Sequence, residues 1–411
     1  MVGAGLAGLR ASTALRERGF DGDLTLVGEE PHGPYDRPVL SKEVLTGDRS
    51  VTDTALPVPP GLEARWLLGR RALALDRTGR RLRLSDGTVL DYDGLVIATG
   101  ATARPWSGPG AVPESGIHVL RGRGDALELR RALVEGGPLL VVGSGFLGSE
   151  VASAARALDV PVTLVGSARH PMERAVGPVV GSVLAGVQQA AGVDLRLGTT
   201  VTRFLGQRSI RGAVLSDGSR VGARTVLLAL GARPSTGWLR GSGLRLREGA
   251  SGGVVRDRRG RALAVGGGPV PDVVVLGDAS AAPNPLPLDG TPAHLDIGHW
   301  SEAVDHADTV AAALLGQEDP GDAPVPSFWS DQFGMRIRSV GLPQLGDLTR
   351  VHEHDPERHR LEVSYHRGRR VVGALTVNRT SRLAAHRERI SREWRRSAQA
   401  RSPDRADLPP R

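Results

Sequence analysis

Two stretches of the sequence repeat each other and decide the fold. MVGAGLAGLRASTALRERGFDGDLTLVG occupies residues 1–28, and LLVVGSGFLGSEVASAARALDVPVTLVG occupies residues 139–166. Each consists of a glycine-rich turn, a helical segment with small and apolar residues on one face, and a β-branched strand, which is the pattern of a βαβ unit. One GxGxxG match is often only a tight turn, but two matches in the same strand–turn–helix context predict two dinucleotide-binding sites.

Each glycine of such a motif meets a separate physical requirement. The first allows the tight turn, the second lets the backbone approach a pyrophosphate, and the third lets the helix pack on the strand. The phosphates then lie at the positive N-terminus of the helix. These positions are Gly3, Gly5 and Gly8 in the first repeat and Gly143, Gly145 and Gly148 in the second.

Other runs indicate how the rest of the chain folds. Three apolar runs that end in glycine predict buried parallel strands whose ends face a ligand crevice: DGLVIATG (93–100), TVLLALGARP (225–234) and DVVVLGDAS (272–280). Residues 320–326 read as a linker. Beyond it, residues 327–343 alternate like strands, residues 361–378 predict a hairpin, and RTSRLAAHRERI (379–390) predicts a closing helix. Residues after about 392 are expected to be disordered.

The composition narrows the chemistry. The 411 residues include no cysteine, so a disulfide, a thiolate nucleophile and a cysteine-ligated metal cluster are excluded. The net charge of +8 indicates a solvated surface or an acidic partner; nucleic acid is a weaker alternative because the charge is scattered and aromatic residues make up only 3%. No apolar run reaches the roughly 18 residues of a membrane span, and no signal peptide is evident, so we expect a cytoplasmic protein.

Several longer motifs point to one family. The segment EEPHGPYDRPVLSKEVL (29–45), the run VVGSGFLGSEVA (141–152) and the segment VPSFWSDQFG (325–334) occur with ATGA, LGARP, GDAS and HWSEAV in a fixed order. Together they resemble the FAD-dependent pyridine nucleotide-disulfide oxidoreductase superfamily, in particular the oxygenase-coupled ferredoxin reductases of the putidaredoxin and rubredoxin reductase type. The resemblance covers about residues 2–390, and PYDRPVLSK and FWSDQ are its most specific parts.

The resemblance implies an α/β protein with two Rossmann-like dinucleotide-binding domains and a smaller C-terminal α/β domain. The FAD domain would comprise residues 1–115 and 233–320, the NAD(P) domain 116–232 and the C-terminal reductase domain 324–390, followed by a disordered tail, 392–411. Electrons would pass from NADH or NADPH through FAD to an acidic [2Fe-2S] ferredoxin or rubredoxin, and indirectly to an oxygenase. Neither nucleic-acid binding nor stable membrane insertion is expected.

The resemblance also assigns the FAD site. Lys42 and Glu150 would form the catalytic pair beside the flavin, although each could instead be a surface charge. Asp278 would bind the ribityl chain or cap a helix, Trp300 would lie near the flavin or pack in the core, and Trp329 is assigned to the domain interface. The complete FAD set is Gly3, Gly5, Gly8, Glu29, Glu30, Arg37, Lys42, Ala98, Thr99, Gly100, Asp278 and Trp300, with either Glu29 or Glu30 on the adenosine ribose.

The nicotinamide site leaves the coenzyme open. Its expected residues are Gly143, Gly145, Gly148, Arg169 and Gly231. The family commonly has glutamate at position 166, but this sequence has Gly166, followed by Arg169 and His170, and it also has Gly298 where the family has an acid. An acid selects NAD through the ribose 2′-hydroxyl, whereas arginine accepts the phosphate of NADP. The coenzyme usual in the family is NADH, whereas these residues of the present sequence favour NADPH.

Two other functions are compatible with the sequence. One is an FAD-binding signalling or scaffold protein with a degenerate nicotinamide site. The other is an NAD(P)H–quinone dehydrogenase, which ranks lower because no amphipathic C-terminal helix with an aromatic face is evident.

The beginning of the sequence also departs from the pattern. Only Met1 and Val2 precede the first glycine motif, whereas Leu139 to Val142 precede the second. We therefore expect a nearly missing central strand, with its sheet position left unpaired, and a true start that lies upstream.

Overall fold

A computed structural model of the chain describes residues 1–248, 252–286, 288, 290–321 and 325–399. Its helices are α1 (Leu6–Glu17), α2 (Glu43–Thr46), α3 (Arg123–Val134), α4 (Phe146–Ala157), α5 (Glu173–Ala190), α6 (Trp300–Asp305), α7 (Ala307–Leu314) and α8 (Leu383–Gln399). Its strands are β1 (Leu24–Val27), β2 (Ala64–Leu67), β3 (Ala72–Asp76), β4 (Arg81–Leu84), β5 (Val89–Asp91), β6 (Leu95–Ile97), β7 (Ala101–Ala103), β8 (Ile117–His118), β9 (Leu139–Val142), β10 (Val162–Gly166), β11 (Val193–Leu197), β12 (Val201–Leu205), β13 (Gly212–Leu215), β14 (Arg220–Gly222), β15 (Thr225–Leu228), β16 (Ala232–Pro234), β17 (Val254–Val255), β18 (Arg261–Leu263), β19 (Pro269–Val275), β20 (Ser280–Pro283), β21 (His294–Leu295), β22 (Ser327–Gln332), β23 (Met335–Gly341), β24 (Leu348–Asp355), β25 (Arg360–Arg367) and β26 (Arg370–Val377).

Two parallel sheets follow the same plan. In the second, the strand order is β11-β10-β9-β15-β8. In the first, the order is β2-β1, then residue 2, then β6-β19, with β18 added antiparallel at the edge. A three-stranded antiparallel sheet precedes the fourth strand in both: β3–β5 before β6 and β12–β14 before β15. The internal repeat therefore extends well beyond the glycine motifs, and the parallel strands expected at β6, β15 and β19 are present.

The first sheet has a short but paired central position. Val2 donates to the carbonyl of Val96 at 2.9 Å and accepts from Ala98 at 2.7 Å, while Gly3 donates to Val27 at 2.8 Å. Val2 thus forms parallel bridges to β1 and β6. The expectation of an unpaired sheet position is wrong, because Val2 bonds to the β6 side while the N–H of Gly3 and the carbonyl of Met1 bond to Val27 on the β1 side.

The C-terminal part forms an antiparallel sheet in the order β22-β23-β26-β25-β24, and α8 packs on it. The strands expected in 327–343 and the hairpin expected in 361–378 are confirmed. The tail predicted from 392 is wrong as far as Gln399, because α8 continues that far. Ile390 and Trp394, four residues apart on one helical face, are both buried in the core of this part and hold the helix there. Residues 400–411 lie outside the described residues.

The three parts share apolar cores. One core joins Leu40 and Leu45, from the segment before the first antiparallel sheet, to Val151 and Ala152 of α4. Another joins Val176 and the rest of α5 to the C-terminal sheet. Helix α4 also packs against β22 of the C-terminal sheet, so it contacts all three parts and its polar side chains lie at their junction. Among the described residues, no helix is long and apolar enough to cross a membrane.

Candidate functional site

The first and third glycines of each motif are required by packing. Gly3 and Gly143 have left-handed φ angles of 115° and 118°. A Cβ at Gly3 would lie 2.0 Å from the carbonyl oxygen of Ala98, and one at Gly143 would lie 2.2 Å from that of Ala229. The third glycines are equally restricted, since a Cβ there would lie 2.0 Å (first motif) or 1.9 Å (second motif) from the carbonyl oxygen of the first glycine. These positions tolerate no side chain, whatever the ligand.

The second glycines are different. No heavy atom of the described residues lies within 4 Å of a Cβ built on Gly5 or Gly145. Both residues are extended and stand at the N-caps of α1 and α4. Because packing does not require glycine here, the open approach to a helix N-terminus fits a pyrophosphate at each turn.

The turn after β6 lies against the first glycine turn. The carbonyl of Ala98 is the group that excludes a side chain from Gly3. Thr99 donates its hydroxyl to the carbonyl of Ser235 at 2.9 Å, and Gly100 has a left-handed φ of 65°. The predicted residues Ala98, Thr99 and Gly100 are thus brought to the same sheet edge as the first motif.

Asp278 reaches this edge from the turn after β19 and forms an ion pair with Arg121. The Arg121 Nη2 to Asp278 Oδ2 distance is 2.7 Å, and Arg121 Nε donates to the carbonyl of Ala101 at 2.8 Å. Arg121 is not among the residues that the sequence predicted for the site. A signal was present: Asp125 follows four residues later and accepts from the N–H groups of Arg121 and Gly122, both at 2.8 Å, which marks the start of α3.

Arg37 and Glu30 bind each other. Arg37 pairs with Glu30 and donates to the hydroxyl of Tyr35 at 2.5 Å and to the carbonyl of Arg121 at 2.6 Å. Burial raises the pKa of Glu30, but Arg37 and Tyr35 outweigh it, so the pKa of this carboxyl lies below its usual value. The side chain of Glu29 is 65% exposed. Of the two acids predicted for the adenosine ribose, Glu29 is therefore the one that remains accessible at the end of β1.

Lys42 and Glu150 are joined in a mostly buried ion pair. Lys42 Nζ lies 2.8 Å from Glu150 Oε2, and the two side chains are 15% and 9% exposed. The ammonium also donates to the carbonyl of Pro38 at 3.0 Å. The alternative of two separate surface charges is thus not what the structure shows.

Two hydroxyl groups complete the surroundings of Glu150. Ser41 donates to Oε2 at 2.6 Å, and Ser330 of β22 donates to Oε1 at 2.7 Å. The hydroxyl of Ser330 accepts in turn from Gln332 at 3.0 Å. Glu150 therefore binds donors from the first part of the chain and from the C-terminal sheet. The sequence placed Ser330 inside a specific motif but assigned it no role.

One sequence signal at this pair was missed. The chain contains 53 lysine and arginine residues, and Lys42 is the only lysine among them. An ammonium is a compact charge with three donors, whereas a guanidinium is a larger planar fork. Because all the other residues of this lysine–arginine set are arginines, the single lysine indicates that this site requires an ammonium.

The buried ion pair between Arg256 and Glu302 stabilises the turn that carries Asp278. Glu302 accepts from the N–H of Gly277 at 3.0 Å and from Arg256 Nη2 at 2.7 Å, and both charged side chains are 3% exposed. Arg256 contributes to the net positive charge, one interpretation of which was a solvated surface. That expectation is wrong for Arg256, because Glu302 compensates its charge in the interior.

Aromatic side chains join this region to the C-terminal sheet. Trp300 of α6 and Trp329 of β22 are in edge-to-face contact, with ring centroids 5.5 Å apart. His299 packs on Phe328 at 5.1 Å, and burial lowers the pKa of His299 to about 4. Trp329 thus lies at the interface where the sequence placed it, in contact with Trp300.

The second dinucleotide site is built from the other repeat. Strand β10 ends at the buried Gly166, and Arg169 is exposed three residues later. Gly231 follows β15 with a left-handed φ of 91°, and its carbonyl accepts from the N–H of Arg104 at 2.9 Å. The residues predicted for this site therefore lie beyond the carboxyl ends of β9, β10 and β15.

The fold and the site together define a class. Two dinucleotide-binding units with equivalent glycine turns meet at a buried lysine–glutamate pair, as in flavoproteins that exchange electrons with a nicotinamide coenzyme.

Comparison with known proteins identifies the family. The profile of the pyridine nucleotide-disulphide oxidoreductases matches residues 1–307, and that of the reductase C-terminal domain matches residues 327–409. The chain belongs to the pyridine nucleotide-disulphide oxidoreductase family, which confirms the resemblance seen in the sequence.

Individual relatives agree with this assignment. The ferredoxin–NAD(+) reductase component of the p-cumate 2,3-dioxygenase system of Pseudomonas putida is 35% identical, over 98% of this chain and 94% of its own. The rubredoxin–NAD(+) reductase of Ectopseudomonas oleovorans is 31% identical, over 94% of this chain and 97% of its own. The crystal structure of the covalent putidaredoxin reductase–putidaredoxin complex superimposes with a TM-score of 0.86 at 31% identity, covering 95% of this chain and 92% of that one.

Proposed function

We propose that this chain is an FAD-dependent NAD(P)H:ferredoxin-type reductase that supplies electrons to an oxygenase through a ferredoxin or rubredoxin. The observation that carries the proposal is the Lys42–Glu150 pair, which joins the two dinucleotide-binding units at a buried point. Without any cysteine, the chain offers no dithiol path for electrons, so they must leave directly for an external acceptor.

FAD would supply the acceptance of a hydride from the nicotinamide and the release of single electrons. The residues at the first turn fit it: Gly5 leaves the helix N-terminus open for the pyrophosphate, Glu29 is accessible for the adenosine ribose, and Arg121 orients Asp278 for the ribityl chain. Lys42 would place a positive charge beside the ring, and Glu150 would hold the ammonium there.

The division of the chain supports the same function. We assign residues 1–115 and 233–320 to FAD and residues 116–232 to the nicotinamide coenzyme, because each range contains one complete sheet with its glycine turn. Residues from 324 onward would cover the flavin side and take part in binding the carrier, since Trp329 and Ser330 reach Trp300 and Glu150. We place the reaction in the cytoplasm, where reduced nicotinamide coenzymes are available.

We infer the class of electron acceptor from the relatives and from the net charge of the chain. The relatives are reductases of ferredoxin, putidaredoxin and rubredoxin, which are one-electron carriers. A chain with a net charge of +8 would attract an acidic carrier over long range, and such association weakens as salt screens the charges.

Anaerobic stopped-flow absorbance tests the proposal. The purified protein is expected to be yellow, and NADH or NADPH should bleach its flavin. Reduction of an acidic [2Fe-2S] ferredoxin should slow as the salt concentration rises, while bleaching of the flavin should change little. A protein that binds FAD but is bleached by neither coenzyme would instead fit a scaffold, and salt-independent reduction of the ferredoxin would reject the steering by charge.

A further inference from the structure

The two repeats can be compared at the carboxyl end of the strand that follows the helix of each glycine motif. Gly28 follows β1, and Gly166 ends β10. A Cβ at Gly28 would lie 2.7 Å from the Cβ of Ala4, and one at Gly166 would lie 2.6 Å from the Cβ of Ser144 and 2.1 Å from its hydroxyl oxygen. Ala4 and Ser144 are the middle residues of the two GxG turns. A side chain at that middle position therefore prevents any side chain at the strand end.

An acid for the adenosine ribose must consequently come from a later residue. The first repeat provides one immediately, because Gly28 is followed by Glu29 and Glu30. The second repeat continues Ser167, Ala168, Arg169, His170 and has no acid before Glu173. Glu173 is already engaged, since its carboxylate accepts from the N–H of His170 at 2.8 Å.

The loop that carries Arg169 is held in place by backbone hydrogen bonds. Met172 donates to the carbonyl of Ser144 at 2.7 Å, which ties the end of the loop to the glycine turn. Gly198 donates to the carbonyl of Ala168 at 2.9 Å, which ties its middle to the segment after β11. Between these bonds Ser167 and Arg169 are exposed, and no ion pair engages Arg169 within the described part of the chain.

We propose that the second dinucleotide site accepts NADPH in addition to NADH, with the 2′-phosphate bound by the guanidinium of Arg169 and the hydroxyl of Ser167. A phosphate monoester carries the charge that a guanidinium binds with paired hydrogen bonds, and no free carboxylate in the loop repels it. The inference rests on the proposed reductase function. It concerns only the adenosine end of the coenzyme, so the hydride leaves the nicotinamide ring of NADPH as it leaves that of NADH.

Binding of adenosine fragments tests the phosphate site without turnover. In isothermal titration calorimetry of the FAD-loaded protein, 2′,5′-ADP should bind at least about tenfold more tightly than 5′-AMP, because hydrogen bonds to a charged group contribute that much or more. Arg169→Ala should remove most of this difference. Arg220→Ala, which removes an exposed arginine of β14, is the matched control and should preserve it. Equal affinity for the two fragments, or equal losses in both variants, would overturn the proposal.

Flavin reduction then separates this inference from the proposed function. Both coenzymes should bleach the flavin of the unmodified protein. Ser167→Glu places an acid at the position equivalent to Glu29 and should lower the ratio of the limiting flavin-reduction rate to the coenzyme Kd at least tenfold for NADPH relative to NADH. Ser167→Gln, of the same size but neutral, also loses the hydroxyl that would bind the phosphate, so it should lower this ratio for NADPH less than Ser167→Glu does. Bleaching by NADH alone would overturn the inference and leave the function intact. Bleaching by neither coenzyme would reject the function, and the inference with it.

Discussion

Replacing the only lysine of the chain tests whether the Lys42–Glu150 pair assists hydride transfer. Lys42→Met keeps most of the length of the side chain and removes the ammonium. The two glycine turns and Asp278 are untouched, so FAD should still bind. Flavin reduction should slow by up to about a hundredfold, comparable with the loss of one donor that stabilises developing negative charge in an enzyme site.

The structure limits the cost in stability. After Lys42→Met, Glu150 keeps the hydroxyl groups of Ser41 and Ser330, at 2.6 and 2.7 Å. The carboxylate loses one donor of three, and a hydrogen bond to a charged group contributes about 2 kcal/mol. The free energy of unfolding should therefore fall by about that amount, less than the 3–5 kcal/mol that is typical when a buried charge is left without any partner.

Glu150→Gln should give a smaller defect in the same direction. Its amide nitrogen can face Ser330, whose hydroxyl can rotate to accept, and Lys42 keeps the carbonyl of Pro38 at 3.0 Å. The ammonium is then retained but less firmly held, and flavin reduction should slow by roughly tenfold. The double variant should be no slower than Lys42→Met alone, because either change breaks the same pair.

Lys42→Arg separates charge from shape. A guanidinium restores the charge but not the compact ammonium that fits between Glu150 and Pro38, so the rate should recover only in part. The measurement is anaerobic stopped-flow flavin reduction at saturating coenzyme. Arg379→Met, which breaks the partly exposed pair with Glu353, is the control and should leave the rate unchanged. Unchanged rates in the Lys42 variants, or fully additive losses in the double variant, would refute a joint role for the pair.

Two other predictions concern the buried groups near Asp278. Glu302→Gln should lower the free energy of unfolding, measured by urea denaturation, by about 3 kcal/mol, because it leaves the buried Arg256 uncompensated. Arg247→Met, in the more exposed pair with Asp296, is the control and should cost less than about 1 kcal/mol. Equal losses in the two variants would show that burial of the first pair has no effect. Because burial lowers the pKa of His299 from 6.5 to about 4, the folded state binds fewer protons than the unfolded state, and stability should fall as the pH drops from about 6.5 towards 4. His299→Gln should remove roughly 3 kcal/mol of that pH dependence, and an unaltered pH profile of the midpoint of urea unfolding would contradict this.

The sequence by itself determined the two βαβ units and the order of the strands that follow them. The glycines of each motif recur at a fixed spacing within one turn and the start of the following helix, so the motif can be recognised without tertiary information, although the carbonyl groups that exclude side chains from Gly3 and Gly143 belong to the distant Ala98 and Ala229. The PYDRPVLSK and FWSDQ segments were specific enough to indicate the family, which the comparisons confirm. Local pattern was less reliable at the chain ends, where high arginine content obscured the apolar pair Ile390 and Trp394 that extends α8.

Only the tertiary structure decided which polar groups meet. Arg121 and Asp278 are 157 residues apart, and Ser330 and Glu150 are 180 residues apart, yet each pair is in direct hydrogen-bonding contact. It also showed that Arg256 is buried against Glu302 and that Ser144 prevents a side chain at Gly166. The physical reason is that the energy of such contacts depends on burial and on distances of a few ångströms between remote segments, and neither quantity is encoded in the spacing of residues along the chain.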